Sequence, residues 1–149
     1  MAATEYRIER EILIDAPVEV VWRTITEPDQ ITQWFADKVD LELEPGGHGY
    51  MGFGDQGGPV VVETVDPPNR FSFRWNHPAG EEPAAGNSLL VEFILAGQGE
   101  QTRLQVIESG LDLLAWSTAD KQRYADEHNG GWAKFLDRLA ALHAERPTP

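Results

Sequence analysis

The sequence contains no cysteine and few basic residues. Its 149 residues include 12 Lys and Arg against 25 Asp and Glu, which gives a formal net charge of −13. The absence of cysteine excludes disulfides, thiolate metal ligands and cysteine nucleophiles. Because the basic residues also form no cluster, the negative charge disfavours nucleic acids and anionic membrane surfaces as partners.

Long hydrophobic runs are missing as well. No apolar stretch approaches the roughly 20 residues needed to span a bilayer, and the N-terminus lacks a basic region followed by an apolar one. We therefore expect an unanchored cytoplasmic protein. The length suits a single domain over residues 1–149, and a hydrophobic content of 41% is enough to build a core.

The N-terminal part of the chain reads as one strand followed by two short helices. Residues Tyr6–Ile14 alternate between apolar and charged side chains, which is typical of a half-buried strand. Pro17 suits the first turn of a helix, and Asp15 is close enough to cap that helix or complement its dipole. The apolar residues Val18, Val21, Trp22 and Ile25 form one helical stripe, and a second short helix restarts at Pro28.

The middle of the chain changes to short strands separated by turns rich in Gly, Pro, Asp and Asn. Turns this short join antiparallel neighbours, because a parallel crossover needs a dozen or more residues. The pattern therefore predicts six meandering strands, at Val39–Glu44, His48–Phe53, Val60–Val65, Arg70–Trp75, Ser88–Ala96 and Thr102–Glu108. The longest connection, His77–Asn87, is predicted to be a mobile surface loop.

The C-terminal segment is predicted to be one long helix from about Thr118 to Ala144. Its inward stripe contains Tyr124, His128, Trp132, Phe135, Leu136, Leu139 and Leu142. The pair Gly130-Gly131 interrupts good helix formers, so it either bends the helix or lets another backbone approach closely. Since one helix cannot cover both faces of seven strands, the sheet must bend around it. We expect an α+β helix-grip fold, with an internal cavity near the N-terminal half of the helix.

Several segments resemble a known family. They include the run from Asp15 to Trp22, Thr26 to Phe35, Pro45-Gly46-Gly47, Val65 to Trp75, and Gly130 to Leu139. These are similar to the activator-of-Hsp90-ATPase-homologue-like family, within the START, birch-pollen-allergen and polyketide-cyclase (SRPBCC) superfamily. The resemblance implies a helix-grip domain with a deep pocket. Members bind, sequester or transform apolar small molecules, one branch regulates the Hsp90 chaperone, and no shared catalytic motif maps onto this chain.

Aromatic residues are the main candidates for lining such a pocket. Each could equally be ordinary core, because burying one aromatic side chain stabilises a protein without any ligand. A cavity nevertheless needs a lining, and amphipathic spacing directs several aromatics inward from elements that should converge. The predicted ligand-pocket residues are Trp34, Phe35, Tyr50, Phe73, Trp75, His128 and Trp132.

Polar candidates for chemistry are few. The four histidines, His48, His77, His128 and His143, are not spaced as metal ligands, so we expect neither a metal site nor a cofactor. His128 lies one turn before Trp132, where a core or pocket-mouth histidine is the ordinary interpretation and an acid/base catalyst the alternative. Arg74 and Glu92 are interpreted as an outward cross-strand pair, or alternatively as an inward anchor for a ligand.

Three functions remain open from the sequence. The first is a carrier, sequestering or sensing protein for an apolar or aromatic small molecule, with no catalytic residue assigned. The second is a small-molecule enzyme of cyclase or hydrolase type that uses the same pocket, with His128, Tyr50 or Glu92 as candidate groups. The third is a protein-interaction module such as an Hsp90 co-chaperone-like regulator, which would require a contiguous exposed apolar patch, with the loop at Trp116 as one candidate.

Overall fold

In the part of the chain that the structure describes, the protein forms one curved antiparallel sheet with three helices. The computed structural model describes residues 8–54, 56–75, 88–111, 114 and 116–144. The strands are β1 (Ile8–Ile14), β2 (Lys38–Leu41), β3 (His48–Phe53), β4 (Gln56–Asp66), β5 (Arg70–Trp75), β6 (Leu89–Gln98) and β7 (Gln101–Ser109). The helices are α1 (Val18–Thr26), α2 (Pro28–Ile31) and α3 (Thr118–Ala144). The start of the predicted first strand at Tyr6, the connection His77–Asn87 and the C-terminal residues 145–149 lie outside the described residues.

The strand order is β1-β7-β6-β5-β4-β3-β2, and every neighbouring pair is antiparallel. The strands β2 to β7 form a meander, while β1 joins the far edge beside β7. The two short helices between β1 and β2 carry the chain from one edge of the sheet to the other, and α3 lies across the concave face. The predicted α+β helix-grip fold is confirmed.

Several strand boundaries differ from the sequence prediction by one or two residues, and the start of β4 and the end of β2 differ by more. Strand β4 begins at Gln56, because Gly57 and Gly58 pair with Gly52 and Met51 of β3 and extend the ladder through residues that read as a turn. Strand β2 ends at Leu41, because the chain then turns back to reach β3. Glycine and proline therefore mark a turn after β2, at Pro45-Gly46-Gly47. In β4, by contrast, Gly57, Gly58 and Pro59 are part of the strand itself.

The helix ends are also specified locally. At the start of α3 the hydroxyl of Ser117 accepts a hydrogen bond from the backbone N–H of Asp120, at 3.1 Å, which caps the first turn. Helix α1 has Pro17 at its N-cap and no side-chain capping bond, so of the two roles predicted for Asp15, a cap or a charge that complements the helix dipole, the cap is not formed. The C-terminal part of α3 is tied to α1 through His143, whose Nε2 lies 3.0 Å from the Thr24 hydroxyl.

The core lies between the concave face of the sheet and α3. Period-two alternation buries Phe71 and Phe73 of β5 completely, beside Phe93 of β6, and these three rings stack or tilt against one another at 5.9–6.3 Å. Trp34 closes the core from the α2 side, where its indole N–H donates to the Thr24 carbonyl oxygen at 3.0 Å. Helix α3 runs closest to β1, so the β3–β4 end of the sheet stands away from it.

Helix α3 remains helical through Gly130 and Gly131. A Cβ atom built at either position would meet no neighbouring atom within 4 Å, so none of the described backbone approaches the helix there. Of the two roles predicted for this pair, a bend or a close approach, the close approach is therefore not met. Since Gly130 is exposed, it has no packing role that would require glycine.

We expect Gly130→Ala to raise the free energy of unfolding by about 0.5–1 kcal/mol, because alanine loses less backbone entropy in a helix. Urea denaturation followed by far-ultraviolet circular dichroism measures the change. A destabilised variant would contradict this account and indicate that the glycine is needed for a local distortion of the helix.

Candidate ligand pocket

A cavity of about 320 Å³ lies between α3 and the half of the sheet formed by β3, β4 and β5. It occupies the space left because α3 packs toward β1 at the opposite edge. Its lining consists of Phe35, Met51, Phe53, Gly57, Gly58, Pro59, Val60, Trp75, Glu127, His128, Gly131, Trp132 and Phe135. Glu127 of α3 is the exposed residue among these described lining residues, while Gly57, Gly58 and Gly131 are half-buried.

Four of the seven predicted pocket residues line this cavity, namely Phe35, Trp75, His128 and Trp132. Phe35 is the centre of the aromatic wall. Its ring stacks on Trp132 at 5.1 Å and on Trp75 at 5.8 Å. It meets Phe53 and Phe135 edge-on at 5.1 and 4.8 Å. That these four residues contact a ligand stays a prediction.

The other three predicted residues lie elsewhere. Trp34 and Phe73 belong to the core beside the cavity, where Trp34 is 1% exposed and Phe73 fully buried. Tyr50 is 42% exposed and points to the convex face, because its neighbour Met51 faces inward and successive strand residues alternate. A Cβ atom at Gly57 would collide with the Tyr50 hydroxyl, and one at Gly52 would lie close to the Tyr50 ring. The Tyr50 side chain therefore lies over these two glycines on the convex face and does not line the cavity.

Further lining side chains were not predicted from the sequence, among them Met51, Phe53, Val60 and Phe135. Strand alternation carried the signal for the first two, since it places Met51 and Phe53 on one face of β3 and Tyr50 on the other. Phe135 lies on the inward stripe of α3, one helical turn after Gly131. These residues add apolar side chains to the lining of the cavity.

The structure also contains a buried carboxylate that was not predicted as a site. Glu108 near the end of β7 is 1% exposed, and it accepts hydrogen bonds from four side chains. Its Oε1 accepts from His128 Nδ1 at 2.9 Å and from Trp132 Nε1 at 2.8 Å. Its Oε2 accepts from Trp75 Nε1 at 2.9 Å and from the Tyr124 hydroxyl.

The sequence did contain a signal for Glu108. In β7 the residues Thr102, Leu104 and Val106 are fully buried, and Glu108 continues this alternation onto the same face. Opposite it, Tyr124, His128 and Trp132 follow one another at four-residue spacing, so three polar groups project from one side of α3. A carboxylate on an inward strand position facing that stripe is the pattern that predicts the cluster.

Electrostatics keep Glu108 ionised. Burial alone would raise the pKa of its carboxyl group. The hydrogen bond and charge of His128, with hydrogen bonds from Tyr124 and Trp132, outweigh burial and lower the pKa below its ordinary value of 4.5. Burial and the negative charge of Glu108 together raise the pKa of Tyr124 well above 10.0, so Tyr124 remains a protonated donor.

Arg74 and Glu92 do not supply an inward anchor. Arg74 Nε pairs with Glu63 Oε1 at 2.7 Å, and Glu92 Oε2 pairs with Arg70 at 3.0 Å. Both therefore face outward, although each pairs with a different residue from the one expected. Within the described ranges, no group of three or more His, Cys, Asp or Glu residues is placed to hold a metal ion.

Comparisons with known proteins identify the family. The model of the activator of Hsp90 ATPase homolog 1-like family matches residues 15–144, so the chain belongs to that family. A search of curated protein sequences finds no significant match.

Among the helices described, none is both long and apolar enough to cross a bilayer.

Solved structures with the same fold are numerous. The chain is similar to DynU16, a protein in the dynemicin biosynthetic locus, with 26% identity and a TM-score of 0.78 over 95% of this chain. It covers 48% of DynU16, so it spans about half the length of that protein. It is also similar to MLL2253 from Mesorhizobium loti (24% identity, TM-score 0.80, covering 95% of this chain and 99% of that one).

The Aha1 dimer from Colwellia psychrerythraea is a further relative, with 21% identity and a TM-score of 0.73 over 92% of this chain and 95% of that one. At the identity of these last two structures the likeness shows the fold alone. The START-like fold family is known for small-molecule binding, and the cavity found here occupies the space between sheet and helix that such a fold provides.

We expect Glu108→Gln to lower the free energy of unfolding by about 2–4 kcal/mol, because an amide places an N–H₂ group against side chains that are themselves donors. Chemical denaturation measures the loss. Glu11→Gln is the matched control, since its ion pair with Arg103 (3.2 Å) is half exposed and should contribute less than about 1 kcal/mol. Equal effects of the two changes would contradict the role assigned to Glu108.

The same carboxylate should make stability depend on pH. A group whose pKa is lower in the folded state than in the unfolded state stabilises the fold fully above its unfolded pKa, and this contribution disappears as the pH falls through its folded pKa. We therefore expect Glu108 to add an acid-side loss of stability below about pH 4.5. The difference in unfolding free energy between the wild type and Glu108→Gln should shrink over that range. A difference independent of pH would contradict the lowered pKa.

Proposed function

We propose that this protein binds a flat, apolar or aromatic small molecule in the cavity between α3 and strands β3 to β5. The observation that carries the proposal is the aromatic wall of Phe35, Phe53, Trp75, Trp132 and Phe135 around a cavity of about 320 Å³. A well-packed core leaves few voids larger than a water molecule, so a cavity of this size with an aromatic lining has the form of a small-molecule site.

The volume limits the size of that ligand. An apolar cavity of about 150 Å³ holds one benzene molecule, and typical ligand sites begin near 300 Å³. A cavity of about 320 Å³ is therefore suited to a molecule of two or three fused rings. The relative DynU16 is a protein of the dynemicin biosynthetic locus, which agrees with a role in handling a small molecule.

An enzymatic role in the same cavity is the second candidate, and one observation favours it. His128 lines the cavity while a buried carboxylate holds its Nδ1 at 2.9 Å, an arrangement that orients a histidine for proton transfer. Among the lining residues, Glu127 is the other titratable group, and it is exposed at the mouth. We rank binding first because the described lining residues include no Ser or Thr that this histidine could activate as a nucleophile.

The chaperone-regulator alternative has less physical support. The exposed large hydrophobic residues in the described part of the chain are Leu13, Leu43 and Tyr50. Leu13 belongs to β1 at one edge of the sheet, whereas Tyr50 lies on β3 near the other edge. Trp116 is partly buried against the core and meets Tyr124 edge-on at 5.5 Å. The residues described thus offer no continuous apolar surface for a partner.

The pair Gly130-Gly131 provides a sharp test of the cavity. Gly131 shares a helix face with His128 and Phe135 and lines the cavity, while Gly130 points to solvent. We expect two- and three-ring aromatic compounds to bind with micromolar affinity, changing tryptophan fluorescence and the indole N–H signals of Trp75 and Trp132. Gly131→Leu should weaken this binding at least about tenfold by filling the cavity, because the added side chain has the volume of several ligand carbons.

Gly130→Leu is the matched control, since it adds the same side chain to the same helix outside the cavity. It should retain the wild-type affinity. If no aromatic compound binds the wild type, or if both leucine variants bind equally well, the proposed pocket is wrong. Both variants should remain folded, because leucine is a better helix former than glycine.

A further inference from the structure

The charged groups around the cavity are mainly of one sign. Its described lining residues include five Phe and Trp side chains and one exposed carboxylate, Glu127, but no Lys or Arg. Arg138 contacts the wall, 5.7 Å from the centre of the Phe135 ring, yet it is exposed and does not line the cavity. An anionic ligand would therefore find no basic side chain in the described lining with which to pair.

The histidine in the wall does not reverse this charge. His128 Nδ1 lies 2.9 Å from Oε1 of the buried, ionised Glu108. When His128 is protonated, this pair is neutral as a whole and the negative charge of Glu127 is left. When His128 is neutral, the charges of both carboxylates are left. In either state the site carries a net negative charge, and the net charge of −13 on the whole chain acts in the same direction.

The carboxylate of Glu127 is placed where a ligand can reach it. Glu127 lies one turn before Gly131 on α3, and residues four apart share a helix face. Gly131 has no side chain that could separate Glu127 from the cavity, and a Cβ atom built there would meet no atom within 4 Å. No described residue pairs with Glu127, since Arg123, one turn before it, pairs with Asp120 at 3.2 Å.

We propose that the cavity selects aromatic ligands that carry a positively charged ammonium group, which pairs with Glu127 while the ligand rings lie against the aromatic wall. This inference rests on the proposed binding function and adds the class of ligand. Two attractions favour such a cation. The carboxylate attracts it directly, and an ammonium group within about 6 Å of an aromatic ring is attracted by the ring, most strongly by Trp. Both Trp75 and Trp132 line the cavity.

Three naphthalene compounds of nearly equal shape test the inference at about pH 7. The compound 2-naphthylmethylamine carries a positive charge, 2-naphthylmethanol is neutral, and 2-naphthoate is negative. A purely apolar cavity would prefer the alcohol, because a charged group loses more hydration on binding. We expect the amine to bind at least about threefold more tightly than the alcohol and at least about tenfold more tightly than the carboxylate.

The outcomes separate this inference from the proposed function. If none of the three compounds binds the wild type, the proposed function fails and the inference fails with it. If at least one compound binds but the amine does not reach these two margins, the cavity is a ligand site and the charge selection is wrong. Isothermal titration calorimetry gives the affinities, and the indole N–H signals of Trp75 and Trp132 report whether each compound enters the cavity.

Two variants test whether Glu127 selects the charge. Glu127→Gln keeps the size of the side chain and removes its charge, so we expect it to bind the amine about threefold more weakly and the alcohol unchanged. Asp126→Asn is the matched control, because Asp126 is the exposed neighbour of Glu127 on α3 and does not line the cavity. It removes the same charge and should retain the wild-type preference. Equal effects of the two changes, or an unchanged preference in Glu127→Gln, would overturn the assignment.

The ion pair can also be measured without any variant. Salt screens exposed charges, and the screening length falls from about 10 Å at 0.1 M ionic strength to about 3 Å at 1 M. Over this range we expect the ratio of the amine's affinity to the alcohol's affinity to fall at least about twofold. A ratio that does not change with salt would overturn the pairing of the ammonium group with Glu127, even if every variant failed to fold.

Discussion

The carboxylate of Glu108 is the interaction on which the rest of the site depends. A buried, isolated carboxylate would cost several kcal/mol in lost hydration, so its presence requires compensating donors. Four donors come from two directions, Trp75 from β5 and Tyr124, His128 and Trp132 from α3. Each of these donors belongs to a flat ring. The four hydrogen bonds to the Glu108 carboxylate therefore fix the orientation of four rings between the sheet and the helix.

This arrangement explains how a cavity can coexist with a stable core. Hydrogen bonds hold the indole rings of Trp75 and Trp132 from one side, so those rings need not collapse into the space on their other side. Gly131 of α3 and Gly57 and Gly58 of β4 also line the cavity, and none of them places a side chain in it. Polar contacts therefore support the apolar walls. A site built in this way combines a broad aromatic surface with very few polar groups, as small-molecule pockets usually do.

Membership in the activator of Hsp90 ATPase homolog 1-like family defines the fold, and particular side chains must define the function. The same fold appears in relatives as different as a protein of a biosynthetic locus and an Aha1 dimer. For this chain, the aromatic side chains around the cavity and the Glu108–His128 hydrogen bond are the features from which a function can be argued.

The sequence by itself determined the elements and their order. Alternation in β5 and the stripe on α3 are local patterns, and the two strands His48–Phe53 and Arg70–Trp75 and the long helix were predicted with the same boundaries as in the structure. It also indicated Phe35, Trp75, His128 and Trp132 as inward aromatic or polar groups. Local periodicity establishes which face of an element is buried, because burial repeats with the period of the backbone.

Only the tertiary structure decided which inward residues border the cavity and which fill the core. Trp34 and Phe73 have the same local pattern as Trp132, yet they pack solidly, because depth depends on where α3 crosses the curved sheet. The role of Glu108 was likewise settled by contacts between residues 16 to 33 positions apart in the chain. From the local sequence, a charged residue near the end of a strand is expected to be exposed, because the donors that satisfy it lie on other elements of the fold. Their convergence on one carboxylate is a property of the fold.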